Sequence, residues 1–381
     1  MLKTTVTRVT RSAVFAGVFA GVFAGMFAGV SAAHAPTAGD TFAIRAARVH
    51  VGDGTVIENG IVLVSDGRIQ EVGKGVAVAK DLALIEHDGD LSAGLVALRD
   101  AAGTAGENSD STRSVMDTAD LSHAFDSGHS DMRRLLEEGV TTIVLAPASG
   151  NLVGGLCAVV KPGGRVLARR AQLHLDLGSS GLSRNRFPTS YSGALLELDR
   201  RFEQTTGPFG RAAKGELLVL LEAGTRAEIQ RAVAFAVRHG LRGSISGSPR
   251  VGELAAEVKA AGLGVVLEVF RPGIDRRTVE GAALLAAAGV PFGFALDSPG
   301  THPASLRLTA AACVRSGLSR DAAFRALTSD AARLAGVADR VGSVRAGLDA
   351  DLVLWSGDPV DPGSRVVAVY VDGEQVYGGD R

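Results

Sequence analysis

Cysteine is nearly missing from this sequence: Cys157 and Cys313 are the two in 381 residues. Thiols so few and far apart exclude a disulfide framework. They read as buried free thiols, or as one bridge in an oxidising compartment. Aromatic residues are scarce at 5%, which argues against a stacking platform for single-stranded nucleic acid. Neither sign of charge is in excess: Lys plus Arg number 40 against 41 Asp plus Glu, a net −1. No long-range field therefore draws nucleic acid or an acidic membrane surface. Two signatures are also missing, the G-x-x-x-x-G-K-[ST] phosphate loop and the G-x-S-x-G nucleophile elbow. Glycine, in contrast, is abundant at 49 residues, which suits many short connections and tight turns. The remaining composition, 46% hydrophobic, is that of a globular chain long enough for one large core or two domains.

The first 35 residues differ from the rest. Lys3, Arg8 and Arg11 precede an uncharged run from Ala13 to Val30, "AVFAGVFAGVFAGMFAGV", and "SAAHA" (31–35) supplies small residues in an A-x-A arrangement. This pattern reads as a secretory signal peptide over residues 1–35, hence export to the periplasm or outside a bacterial cell. The rival is a retained membrane helix, since the run is at the lower edge of spanning length and G-x-x-x-G is a helix-packing pattern. Weak hydrophobicity of an Ala/Gly-rich run favours cleavage. Membrane contact is expected only if the segment stays attached.

Residues 41–90 read as short strands with Asp-Gly turns at 66–67 and 88–89, and 349–381 repeat the style with Asp372-Gly373. One small β-sandwich domain assembled from 41–90 plus 349–381 is the expectation. Between them, over 91–348, strands alternate with helices. Examples are the helix-to-strand stretch "MRRLLEEGVTTIVLAP" (132–147), "GELLVLLEAG" followed by "TRAEIQRAVAFAVRHG" with a capping-box start at Thr225, and "VPFGFALDSPG" (290–300). Two helices are expected between about Pro303 and Ala335. Such alternation implies a parallel sheet covered by helices, and about 255 residues suit a TIM-like (β/α)8 barrel. Seven strands are easy to find; 186–213 gives no clean one, so strand four is obscure and an open α/β sheet is the fallback.

"IENGIVLVSDGRIQEVG" (57–73), "GVTTIVLAP" (139–147) and "LSRDAAFRALTSDAARLAGVADRVGSVRAGLDADLVLWSGDPVD" (318–361) resemble the amidohydrolase superfamily in its imidazolonepropionase-like branch. The pattern ALT…AR-L-G followed by G-S-V-x-x-G-x-D-A-D-L-V-L is the most specific match. The resemblance implies a metal-bearing barrel that hydrolyses amide, lactam or ester bonds in small molecules. It requires His-x-His at the end of strand one, a carboxylated lysine or glutamate on strand four, a histidine on each of strands five and six, and an aspartate ending strand eight. Zinc or a similar ion then makes hydroxide available near neutral pH. Laid on that pattern, "AGLVALRDA" (93–101) carries Arg99 and Ala101 where the histidines belong. Glu222 stands where strand five should end in histidine, and "SISGS" (244–248) offers no ligand on strand six. Asp297 matches the strand-eight aspartate and is the catalytic candidate, a general base.

Other clusters supply replacement candidates. In "QLHLDLG" (172–178) alternation puts His174 and Asp176 on one face, so His174, Asp176 and Glu222 form a candidate set for a single divalent zinc; the plain alternative is an exposed strand with one wet face. "DLSHAFDSGHSDM" (120–132) carries His123, Asp126, His129 and Asp131, explained more simply as helix-capping chemistry from Ser127, Ser130 and Asp131. In "PASGNLVGGLCAVVKPGG" (147–164), Gly154, Gly155 and Lys161 are ligand-binding candidates, against a glycine-rich loop leading into a hairpin turned at Pro162-Gly163. Arg99, in the old metal space, repels a divalent cation and suits a carboxylate or phosphate, which makes it a further ligand-binding candidate. The residues thus favour an exported, catalytically silent barrel that binds a small molecule or partner, with no cofactor and no nucleic acid. The alternative is an active hydrolase of non-peptide, cyclic amide-type C–N bonds with a non-standard metal site.

Overall fold

The two turn-rich ends of the chain pair into one sheet, and the alternating middle closes into another. The computed structural model describes residues 36–37, 39–104, 108–110, 112–269, 276–298 and 300–378, and elements are counted among these. The expected leader, 1–35, lies outside them. The chain opens with β1 (Phe42–His50), β2 (Val56–Ser65), β3 (Arg68–Gly73) and β4 (Ala83–Ala93), then passes through β5 (Leu95–Asp100), α1 (Ser130–Glu137), β6 (Val140–Leu145), β7 (Val153–Val160) and β8 (Val166–Asp176). It continues with α2 (Tyr191–Phe202), α3 (Gly207–Ala213), β9 (Leu218–Glu222), α4 (Arg226–His239), β10 (Gly243–Ser246), α5 (Ala255–Ala260), β11 (Gly264–Leu267), α6 (Arg276–Ala288) and β12 (Phe292–Phe294). Three helices, α7 (Ser305–Arg315), α8 (Arg320–Leu327) and α9 (Ser329–Ala335), occupy the stretch where two were expected; β13 (Leu352–Trp355), β14 (Val366–Val371) and β15 (Glu374–Tyr377) follow. None of the described helices is long and apolar enough to cross a membrane.

The first sheet has seven strands in the order β15-β14-β13-β4-β1-β2-β3, so both chain ends contribute and meet at β4. It is one hydrogen-bonded sheet that curls on itself rather than two separate sheets. Phe42 of β1 touches the Tyr370 ring of β14 at 5.7 Å between centroids, three strands away. The turns Asp66-Gly67 and Asp372-Gly373, all four residues at positive φ, sit together: Ala350 donates to the Gly67 carbonyl and Gly373 to that of Ala350. Phe42, Ile44, Val62, Val64, Leu352, Leu354 and Tyr370 form the apolar layer inside the curl. The expected turn at Asp88-Gly89 is not one. Both residues lie inside β4, at a bulge where the pairing with β1 steps from Ala46–His87 to Arg48–Asp90. Parallel pairing of β4 with β1 requires the chain to cross over, so it cannot hairpin there.

The second sheet is a TIM-like barrel of eight strands in the order β12-β11-β10-β9-β8-β7-β6-β5. Its seam is bridged by the Leu296 and Asp297 amides, which donate to the Arg99 carbonyl at 2.8 and 3.2 Å. Seven strands run parallel. The eighth, β7, is antiparallel to both β6 and β8, and this explains the missing strand: 186–213 holds α2 and α3, while the sought strand hides in "VGGLCAVV". No crossover helix flanks it, because antiparallel neighbours join directly: the 146–152 loop leads in from β6, and the turn at Pro162-Gly163, as expected, leads out to β8. Side chains alternate as barrels require. Leu173, Leu175, Val219 and Leu221 face the helical layer, while Val96, Leu98, Val144, Val159, Leu220 and Val266 fill the lumen. Ala331, Ala332 and Leu334 of α9 pack into that lumen core at the end where the parallel strands begin. Gln172 is a buried polar side chain at that end, where it donates to the Leu334 carbonyl at 2.8 Å. Cys157 and Cys313 are both buried and free, and burial pushes each thiol up to about 12.

Candidate functional site

At the C-terminal ends of the barrel strands, three paired positions form one row: Asp176 of β8 lies opposite Glu222 of β9, which lies opposite Ser246 of β10. Neighbours in register share a face of a sheet, so all three project the same way. Glu222 is the hub. It accepts from the Ser149 hydroxyl at 2.6 Å and lies 3.2 Å from His174 Nε2. Arg99 Nη2 approaches to 3.8 Å of Glu222 and 3.5 Å of the Ser149 oxygen. Alternation along β8 places His174 beside this group as expected, and the register slip of β5 between Ala97 and Asp100 accompanies the turn of Arg99 toward it.

Electrostatics follow from these contacts. Burial alone would raise Glu222, but the His174 hydrogen bond and charge, then Arg99 and Ser149, hold its carboxyl down at about 2. Asp176 moves the other way. Burial and the negative charge of Glu222 raise it, against the amide of Gly178 that donates to its Oδ1 at 2.9 Å. Asp100, enclosed at the end of β5, is pushed up to about 6 by burial, although it accepts from the amides of Ser298 and Ala101. Glu222 is thus fixed as an anion beside the more readily protonated Asp176.

Gly154 belongs to this site as a spacer. A Cβ there would stand 2.5 Å from His174 Nδ1 and 2.9 Å from the Pro147 Cβ, so glycine lets β7 close over the imidazole. Gly154→Ala should displace His174 and destabilise the protein by about 1–3 kcal/mol. The Glu222 carboxyl should then titrate upward from its present value near 2, read by side-chain carbon NMR. An unchanged Glu222 titration would show that His174 has not moved. Gly155 is held differently, with its space closed by the Ala119 carbonyl, and it serves the chain path rather than a ligand.

Lys161 is a correction. It lies fully buried at the far end of β7, and its ammonium donates to Asp349, Asp351 and Asp372 at 2.8–3.0 Å. Because β7 runs antiparallel, its C-terminal end is at the face where the parallel strands start, away from the mouth. Asp297 follows β12 with φ +64° and is tied through its amide to Arg99. The 120–132 cluster is capping chemistry, though its cap is His129 rather than Ser127: the His129 ring accepts from the Asp131 amide.

Zinc does not fit what is present. Among the described residues no three His, Cys, Asp or Glu side chains converge as a metal-holding group. The set His174, Asp176 and Glu222 is corrected accordingly: Glu222 is already engaged by Ser149 and His174, with a guanidinium 3.8 Å away that opposes a second cation. The order Ser149–Glu222–His174 is not a hydrolytic triad either, since the carboxylate rather than the imidazole contacts the hydroxyl. Ser149 and Ser246 were not singled out from the sequence. Ser149 was findable, because it follows a strand at the ligand-bearing end of a parallel sheet; nothing local marked Ser246.

Comparison with known proteins agrees with this architecture. Residues 225–377 match the model of an amidohydrolase family. The imidazolonepropionase of Acidiphilium cryptum is 36% identical over 166 residues, 40% of this chain and 39% of that protein. That of Aromatoleum aromaticum is 48% identical over 80 residues, 20% of this chain and 19% of its own length. The crystal structure of an amidohydrolase from Thermotoga maritima superposes with a TM-score of 0.78 at 22% identity, covering 89% of this chain and all of the other. A putative prolidase from Bifidobacterium longum gives 0.60 at 17% identity, covering 91% and 97%. The C-terminal two fifths of the chain are thus similar to an amidohydrolase family, and the described fold is of the amidohydrolase type. The sequence similarity to curated proteins falls on imidazolonepropionases. The aligned segments span two fifths or less of those two curated relatives.

Proposed function

We propose that this amidohydrolase-type barrel is a binding protein for a small molecule, exported from a bacterial cell, that works without a metal centre. The observation carrying this reading is the position of Arg99. Its fixed positive charge stands 3.8 Å from Glu222 at the mouth, where the family's chemistry requires a metal cation beside strand one. Guanidinium is always charged and needs no assembly from several ligands, so it supplies a permanent counter-charge to the anion of Glu222. Hydroxide generation has no counterpart in that arrangement, whereas orientation of a ligand does.

The test is metal analysis of the purified protein before and after incubation with zinc, coupled to thermal unfolding with and without chelator. The expected result is no metal surviving dialysis and an unfolding midpoint indifferent to chelator. A native-state metal present at a thousand times its dissociation constant would instead contribute about 4 kcal/mol, lost on chelation. Stoichiometric zinc surviving dialysis would overturn the reading in favour of a C–N hydrolase with a non-standard site and Asp297 as its base. Export is tested separately, by the N-terminal sequence of protein recovered from the periplasm: cleavage near residue 35 is expected.

A further inference from the structure

From the mouth geometry we infer that the ligand is a small organic monocarboxylate, bound by Arg99 with Ser149 beside it and Ser246 and Asp176 facing it. The inference rests on the binding-barrel reading and names its ligand class. Arg99 is poorly satisfied for so enclosed a cation. Its side chain is 14% exposed, yet its nearest partners are the Ser149 hydroxyl at 3.5 Å and Glu222 at 3.8 Å. A guanidinium carries five N–H donors in a planar fork that matches a carboxylate two-pronged, and neither contact uses that fork. Glu222 itself is 13% exposed, so the group is reachable from solvent while mostly desolvated.

Two further groups in the row lack partners. The Ser246 hydroxyl and Asp176 Oδ2 are buried without a hydrogen bond, on either side of Glu222 in the strand ladder. The Ser246 hydroxyl can donate to an anionic oxygen placed between it and Arg99, and burial with the charge of Glu222 shifts Asp176 toward its donating form. A cleft of about 460 Å³ opens along Asn108, Asp110, Leu121, Gly154 and Pro147, the last on the loop that carries Ser149.

Phosphate is the competing anion, and the same end of the barrel argues against it. The backbone donors that would cradle a phosphate at the start of α4 are already taken by this chain's own Glu228, whose carboxylate accepts from the amides of Ser179, Gly224 and Thr225 at 2.8–3.0 Å. The Glu222 anion would also repel a dianion more than a monoanion.

The test is isothermal titration of the purified protein with propionate, butyrate, hexanoate and benzoate, each beside its neutral amide, and with inorganic phosphate. Saturable binding of at least one acid is expected, with its amide and phosphate inert. Arg99→Gln should weaken that binding about thirtyfold or more. Arg99→Lys, which keeps the charge and loses the fork, should weaken it less, and it serves where Arg99→Gln fails to fold. An amide that binds as well as its acid, acid binding unchanged in both Arg99 variants, phosphate binding in place of acids, or no acid binding at all would each overturn the ligand class. If the protein also proves free of metal, the binding-barrel reading survives that failure. Acid binding that appears only with zinc bound, and vanishes on chelation, would sink both.

Discussion

Lys161→Met should lower the unfolding free energy by about 3–5 kcal/mol, the usual cost of stranding buried charges. The side chain is wholly enclosed and contacts three carboxylates at 2.8–3.0 Å. Arg340 holds Asp349 from another side at 2.8 Å, and the 54% exposed Arg165 reaches Asp372 at 2.8 Å. Removing the lysine leaves Asp351 with no cation in contact. Urea unfolding would measure the loss, with Arg165→Ala as the control: an exposed pair is worth at most about 1 kcal/mol. Equal losses in the two variants would contradict the account.

The cluster also sets a pH dependence. Burial would raise Asp349, but hydrogen bonds and charge from Arg340 and Lys161 more than offset it and hold the carboxyl below its ordinary value. A carboxyl depressed in the folded state stabilises the protein fully above its unfolded pKa of about 4, and that contribution is lost as pH falls through the folded value. Wild-type protein should therefore lose stability below about pH 4 more steeply than Lys161→Met, which has already lost one of the two cations that hold Asp349 down while Arg340 remains.

Trp355→Ala should cost a similar 3–5 kcal/mol, for a different reason. This indole, the one tryptophan of the chain, is fully buried in β13. Its N–H donates to the Ser92 hydroxyl at 2.8 Å, and the Arg307 guanidinium lies 4.6 Å from its ring. Arg307 in turn donates to the carbonyls of Pro359, Asp361 and Ser364, fixing the segment after β13. Truncation removes a large apolar volume and the surface on which that cation rests. Circular dichroism melts of the Ala and Phe variants separate the two contributions. Trp355→Phe should lose well under half as much, because it keeps a ring, and Ser92 keeps its own bond to the Ala93 carbonyl. Equal losses in both would show that the N–H, not the packing, dominates.

Both predictions involve the segment that carried the strongest family likeness, the first through the partners of Lys161 and the second directly. Asp349 and Asp351 are the two acids of the D-A-D pattern, and Trp355 closes the strand that follows it. In this chain the two acids lock a lysine of the barrel hairpin to the curled sheet. Lys161 looked like a ligand-binding charge in a glycine-rich loop because a linear reading cannot tell which end of β7 faces the mouth. Strand direction in the barrel decides that.

Much of the architecture is local physics and was legible as such. Asp-Gly steps make the turns at 66–67 and 372–373, the Thr225–Glu228 capping box starts α4, and period-two alternation sets His174 and Asp176 against Leu173 and Leu175. That Arg99 and Ala101 stand where the resemblance expects histidines is likewise plain in the letters. What the residues could not specify alone was pairing: that β4 runs through Asp88-Gly89 beside β1, that β7 enters the barrel antiparallel, and that one sheet curls where two were expected. Those outcomes depend on contacts between segments up to about 300 residues apart, whose free energy exists only when both are in place. The mouth follows the same rule. Composition supplied an arginine, a glutamate, a histidine and a serine at positions 99, 222, 174 and 149, and only barrel closure brought the four within 4 Å of one another in a chain of contacts.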